Sequence, residues 1–354
     1  MALYRFELPA ASGYEQPAWA ATPFALPAPE SLVDKQEFKG LSRLTSPRAK
    51  VSILVIKLGA LGDFIQAFEA FRDIRAHHAD AHIVLLTTPP FAPLARRAPW
   101  FDEVWTDGRP GWTKIATWAR LAARLRRVDL TRIYDLQSNR RTAIIYRLVG
   151  GRHGPPWLGK TPGCAFPEPT FPAGADNAGR HRAHLTSAGV PSAGPLDLAW
   201  LAADIADIKP GGRFVLMAPG CSPHRPRKRW PPENYAMLSS GLVSRNYRVA
   251  LVGTRADRDV IDAIRARLPQ AVDLCERTDL FELASLARAA AAFVGNDTGP
   301  TFLAAAVGAP TLTLMSSETD ERRMAPPGAA SRWIKRDNLA DLGVGEVEAV
   351  LNLP

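Results

Sequence analysis

KVSILVIKLGALGDFIQAFEAFRDIRAHH, residues 50–78, decides the fold. The β-branched and apolar run from Val51 to Ile56 has the length of one buried strand. Gly59 and Gly62 then let the backbone turn tightly, and the apolar residues beyond them recur at helical spacing. The unit reads as strand, loop, helix. The same grammar returns at AHIVLLTTP, RIYDLQSNRRTAIIYRLV, RFVLMAPG, YRVALVGTRADRDVIDAIRARL, AAFVGNDTGPTFLAAAVG and PTLTLMS. Strands alternating with helix-sized segments predict an α/β protein whose parallel sheets carry helices on both faces. A Pro/Gly-rich stretch from Gly151 to about Pro195 interrupts the alternation and places a boundary near residues 190–210. The expected organisation is a Pro/Ala-rich extension over residues 1–50, a Rossmann-like domain over 51–200 and a second over 201–354.

A chain of 354 residues suits two domains of ordinary size. Hydrophobic residues at 46% and charged residues at 22% indicate a globular chain, and no apolar run approaches the roughly 20 residues of a membrane helix. Cys164, Cys221 and Cys275 are far apart and lack CxxC or His-rich spacing, so neither a disulfide framework nor a metal site is expected, and a reducing cytoplasm fits. Acidic residues and prolines near the start argue against a secretory signal. The net charge of +9 is uneven: Arg109 to Arg147 holds ten basic residues against Asp129 and Asp135, whereas residues 251–354 hold eleven basic and fifteen acidic. A basic first half draws an anionic partner or membrane surface, unless its arginines form only a solvated helix face.

Ligands of doubly wound sheets bind beyond the carboxyl ends of the strands, which directs attention to four loops. In KLGALGD, Asp63 stands where a helix begins, either as a chemical group or as a simple N-cap. The spacing is not GxGxxG, so it gives no nicotinamide fingerprint. In APGCSPHRPRKRWPPENYAML, Pro231 and Pro232 suit a first helical turn, and Lys228 and Ser222 suit a phosphate. In VGTRADRD, Asp257 follows a strand at a distance suited to a ribose hydroxyl, or serves only the helix dipole. In GNDTGPTFLAAAVGAP, a turn from Gly295 to Gly299 opens an alanine-rich helix, and the amides of Thr298 and Gly299 suit a diphosphate.

Taken in order, LGALGD, YDLQSNRR, PGCS with KRWPPENYAML, VGTRADRD and GNDTGP with AAAVGAP resemble glycosyltransferase family 9, the ADP-heptose:lipopolysaccharide heptosyltransferases of GT-B fold, over residues 51–330. The resemblance implies two Rossmann-like domains with a cleft between them. It also implies Asp63 as catalytic base, Ser222 and Lys228 on the donor phosphates, Asp257 on the ribose, and Asp297, Thr298 and Gly299 as a donor-side loop. On the acceptor side it implies Gly62, Gln137, Arg140 and Arg141.

The function so implied is inverting, metal-independent and cofactor-free transfer of a heptose, with ADP-heptose as the expected donor, to a lipopolysaccharide-core or other anionic glycolipid. The protein would be cytoplasmic or peripheral at the inner membrane surface, with no nucleic-acid partner. A sugar-nucleotide epimerase and a silent sugar-nucleotide-binding protein are the alternatives. The chain departs from the family pattern at Phe302, where His is usual, at Glu69, where Pro is usual, and at Ser316 or Ser317, where Gly is usual. A phenyl ring donates no hydrogen bond, so a donor contact made elsewhere by His is lost or moved.

Overall fold

The computed structural model describes residues 52–111, 113–171, 174–222 and 225–353. The expected extension over residues 1–50 lies outside them, and so does Val51. The first half alternates β1 (Ser52–Ile56), α1 (Leu61–Ile65), α2 (Phe68–His77), β2 (His82–Thr87), α3 (Ala92–Arg97), β3 (Glu103–Thr106), α4 (Ile115–Arg126), β4 (Leu130–Asp135), α5 (Arg140–Leu148), β5 (Trp157–Gly159), β6 (Phe166–Pro167) and α6 (Asn177–Ser187). The second continues with β7 (Phe214–Ala218), α7 (Pro232–Ser244), β8 (Arg248–Gly253), α8 (Arg258–Arg267), β9 (Val272–Cys275), α9 (Leu280–Ala289), β10 (Ala292–Asn296), α10 (Gly299–Ala306), β11 (Thr311–Met315), α11 (Glu321–Met324), β12 (Ser331–Lys335) and α12 (Val344–Leu351).

Each half builds a six-stranded sheet, in the orders β3-β2-β1-β4-β5-β6 and β12-β11-β10-β7-β8-β9, with every pair of neighbouring strands parallel. The central strands β1, β7, β10 and β11 are buried along their whole length, as sheets covered on both faces require. Strand order reverses between β1 and β4 in one sheet and between β7 and β10 in the other. Those switch points are where the loops part and a ligand crevice opens.

Strand β10 runs two residues further than the alternation alone suggests. Gly295 and Asn296 pair with Thr313 and Leu314 of β11, so only Asp297 and Thr298 separate the strand from α10. Asn296 stays in the strand because its buried amide donates to Pro219 O at 2.8 Å and accepts from the Tyr235 hydroxyl at 3.1 Å.

One hydrophobic core runs through both sheets: Ile53, Phe64 and Phe68 share a cluster with Phe214, Phe293 and Phe302. Trp200 bridges the halves, with its ring 5.9 Å from Phe68 and 6.4 Å from Phe281. Arg97 of α3 lies over Phe281 at 4.4 Å. The Glu69 carboxylate, where the family pattern has Pro, is paired with Arg182 and ties α2 to α6.

Candidate active site

The loop after β1 turns at Gly59, whose φ of 103° lies in the left-handed region and whose Cα sits so close to Phe91 that a Cβ would fall 2.1 Å from that ring. Asp63 follows as the third residue of α1. It is not the cap: the N-cap position is Ala60, whose carbonyl receives Phe64 N at 2.9 Å. The Asp63 carboxylate has no hydrogen-bond partner among the described residues and faces a cavity of about 150 Å³. A carboxylate left open at the switch point of a parallel sheet is available to a ligand.

Three neighbours in that cavity escaped the sequence reading. Lys57, buried at the end of β1, donates to Leu136 O at 2.9 Å and lies 3.4 Å from His181 Nε2. Burial pulls its ammonium down to about 8, against the opposing pull of the Asp63 and Asp135 carboxylates. Asp135, at the end of β4, is pushed up to about 6 by burial. Its Oδ1 accepts from the amides of Gln137 and Ser138 at 3.1 and 2.7 Å, while Oδ2 has no partner among the described residues. Burial, and then the charge of Lys57, hold the imidazole of His181 well below its ordinary range. The sequence signal for Lys57 and Asp135 is a charged residue at the very end of an apolar strand. The signal for His181 is absent, because α6 lies more than 100 residues away in sequence and is brought in by folding.

On the second sheet a cleft of about 520 Å³ is walled by Ser222, Asp257 and Thr298, and closed from the first half by Leu61 and Pro90. Ser222 is exposed there. Lys228 is buried and forms an ion pair with Asp297, Nζ to Oδ2 at 2.5 Å. The Thr319 hydroxyl donates to the same oxygen at 2.6 Å, and Asp297 Oδ1 has no partner among the described residues. Thr298 is the N-cap of α10 without a side-chain capping bond, so the amide of Gly299 opens the helix without one. Asp257 accepts from Thr254 N at 2.9 Å and Thr254 Oγ1 at 2.8 Å, closing a capping box around the short turn Arg255–Asp257. One of its oxygens therefore has a structural role while the residue still lines the cleft.

A larger pocket of about 970 Å³ opens beside the loop after β4 and is lined by Gly59, Arg109, Gln137, Arg140 and Arg141. Gln137 Oε1 accepts from Leu58 N at 2.8 Å and so joins this loop to the loop after β1. Asn139 caps α5 through a capping box with Thr142, which fixes the direction of the two arginines behind it. Only one of them is free. Arg140 is exposed and its guanidinium has no partner among the described residues. Arg141 is buried, makes bonds of 2.5 and 2.7 Å to the two oxygens of Asp107, donates to Pro110 O at 3.0 Å and lies 4.3 Å from the Trp118 ring. Gly62, expected on the acceptor side, is buried beneath Phe302 and does not line this pocket. Among the described residues no three His, Cys, Asp or Glu side chains are grouped to hold a metal ion, and no helix is long and apolar enough to cross a membrane.

Two parallel Rossmann-like sheets, each with a ligand crevice at its switch point, and a nucleotide-sized cleft between them define an α/β protein of GT-B architecture. Residues 183–341 match the family model described as glycosyltransferase family 9 (heptosyltransferase). The match covers 159 of the 354 residues, just under half of the chain. Lipooligosaccharide heptosyltransferase 2 of Haemophilus influenzae is 39% identical over 94 residues, 25% of this chain and 27% of that protein. The match thus spans about a quarter of that relative's length. Lipopolysaccharide heptosyltransferase 2 of Salmonella typhimurium is 24% identical over 303 residues, 78% of this chain and 85% of its own length. Among solved structures, the ADP-heptose lps heptosyltransferase II of E. coli superposes with a TM-score of 0.67 at 22% identity, covering 85% of this chain and 98% of that one.

Proposed function

We propose that this protein is an inverting, metal-independent glycosyltransferase that moves a heptose from ADP-heptose to an anionic lipopolysaccharide-core glycolipid. One observation carries the reading: an unpartnered carboxylate, Asp63, on the helix that meets the start of α10 at the edge of a nucleotide-sized cleft. A relative named for ADP-heptose and lipopolysaccharide supports the choice of substrates.

A sugar joined to a nucleoside diphosphate already carries a good leaving group. The acceptor hydroxyl gives its proton to an Asp63 oxygen as its own oxygen attacks the anomeric carbon. The bond to the diphosphate breaks on the opposite face, and the electron pair leaves with the nucleotide. Lys228, released from Asp297, together with Ser222 and the Thr298–Gly299 turn at the positive end of α10, holds the developing charge of the diphosphate. Asp257 contacts the ribose through the oxygen that Thr254 leaves open. Gln137 and Arg140 face the acceptor. The exposed arginines of α4 and its C-terminal flank, with Ile115 exposed at the start of that helix, suit peripheral contact with an anionic membrane surface from the cytoplasmic side.

The test is a screen of ADP- and other nucleotide-sugars with a core glycolipid acceptor, with a chelator present throughout. Mass spectrometry reads the glycolipid and NMR the new anomeric linkage. A heptose added from ADP-heptose with the anomeric configuration reversed is the expected result. A free, altered sugar nucleotide with unchanged glycolipid would make the protein an epimerase, and no turnover of any donor would make it a binding protein.

A further inference from the structure

Two short helices from different sheets meet beside Asp63: α1, which carries it, and α10, which begins at the donor loop. Their contact is reciprocal. The Phe302 ring of α10 covers Gly62 so closely that a Cβ there would lie 3.0 Å from Cδ2 and 3.3 Å from Cε2. Leu61 of α1 covers Gly299 in the same way, and a Cβ there would lie 2.6 Å from both its Cβ and Cδ2. Each helix thus offers a glycine to the other's large side chain. Phe302 is 1% exposed, so its ring fills a fixed space and does not reach solvent. Leu61 also lines the nucleotide cleft beside Thr298 and Pro300, which puts the joint at the edge of that cleft, on the helix that carries Asp63.

We propose that Phe302 is a positioning residue: its ring, seated on Gly62, sets the separation between the base Asp63 and the donor-phosphate turn at Thr298–Gly299. The inference rests on the transferase reading. A spacer acts on distance, so a change at the joint alters the chemical step while the nucleotide still binds. A mere core filling would alter stability and binding together. Misplacing reacting groups by about 1 Å costs roughly a hundredfold in rate, so even a methyl's worth of displacement is readable.

Three variants test it: Gly62→Ala, Phe302→Leu, and the two combined. The readouts are kcat for transfer from ADP-heptose, the dissociation constant of ADP by calorimetry, and Tm. Gly62→Ala is expected to lower kcat several-fold while ADP affinity stays within about twofold, because the added methyl meets the Phe302 ring and widens the joint by a few tenths of an ångström. Adding Phe302→Leu makes room for that methyl and is expected to return most of the lost rate. The proposal is overturned by an unchanged kcat in Gly62→Ala, by a rate loss that follows ADP affinity, or by a double variant no faster than Gly62→Ala alone. If Gly62→Ala does not fold, Phe302→Leu decides alone: a lowered kcat at unchanged ADP affinity supports the spacer, and an unchanged kcat overturns it. Failure of the transferase reading is separate, since wild-type protein would then transfer no sugar.

Discussion

Asp63 and Lys228 show how differently two readable residues are held. The first has an open carboxylate; the second spends its charge on Asp297 inside the protein. Breaking a buried pair by removing one partner leaves an uncompensated charge, at a cost of about 3–5 kcal/mol. Lys228→Met is therefore expected to lower Tm and weaken ADP binding, whereas Lys228→Met combined with Asp297→Asn recovers Tm without recovering ADP binding. Calorimetry alongside thermal melts separates the two effects, and full ADP affinity in the double variant would remove Lys228 from the donor site. Asp135 yields a pH prediction. Burial raises its folded pKa to about 6, above the unfolded value of 3.8, so the folded state binds a proton that the unfolded state has lost. Wild-type stability then falls as pH rises from 4 to 6, by at most about 1.4 kcal/mol per pH unit from this group. Asp135→Asn keeps the Oδ1 acceptor and removes the charge, so its stability relative to wild type rises across that window in urea titrations. A difference that is flat with pH would show that Asp135 is ionised throughout.

At the scale of the element, α5 and α10 mark what the sequence discloses and what it hides. Asn139 ahead of a helical period announces the start of α5, and RR behind it announces positive charge. The sequence does not disclose that the second arginine turns inward, because its partner Asp107 lies 34 residues earlier on another strand's loop. The two arginines are thus predicted to differ. Arg140→Ala raises the apparent acceptor KM and leaves Tm in place, and its effect shrinks as salt rises, since exposed charges are screened over about 10 Å at 0.1 M. Arg141→Ala lowers Tm by exposing buried Asp107 to an unpaired state. Steady-state kinetics at two ionic strengths, with melts of both variants, checks this; an Arg140→Ala enzyme with an unchanged acceptor KM would move the acceptor elsewhere. In α10 the alanine run was legible as close packing, and the turn before it as hydrogen-bonding capacity. The meaning of Phe302 was not, because only the folded chain brings Gly62 against it.

At the scale of the molecule, alternation of strands and helices was enough to expect two parallel sheets, since a fully apolar strand followed by a glycine turn and an amphipathic helix has few other ways to bury itself. The site was legible only loop by loop. Motifs at strand ends point to the crevice, but the cluster of Lys57, Asp135 and His181 behind Asp63 joins β1, β4 and α6 through contacts that no local pattern encodes. In the proposed reaction Asp63 takes the acceptor's proton. Asp63→Asn keeps the shape of that side chain and removes its basicity. At saturating ADP-heptose and acceptor, the variant is predicted to bind ADP as wild type does and to transfer heptose about 10²–10⁴ times more slowly. A folded Asp63→Asn protein that turns over at the wild-type rate would contradict the claim.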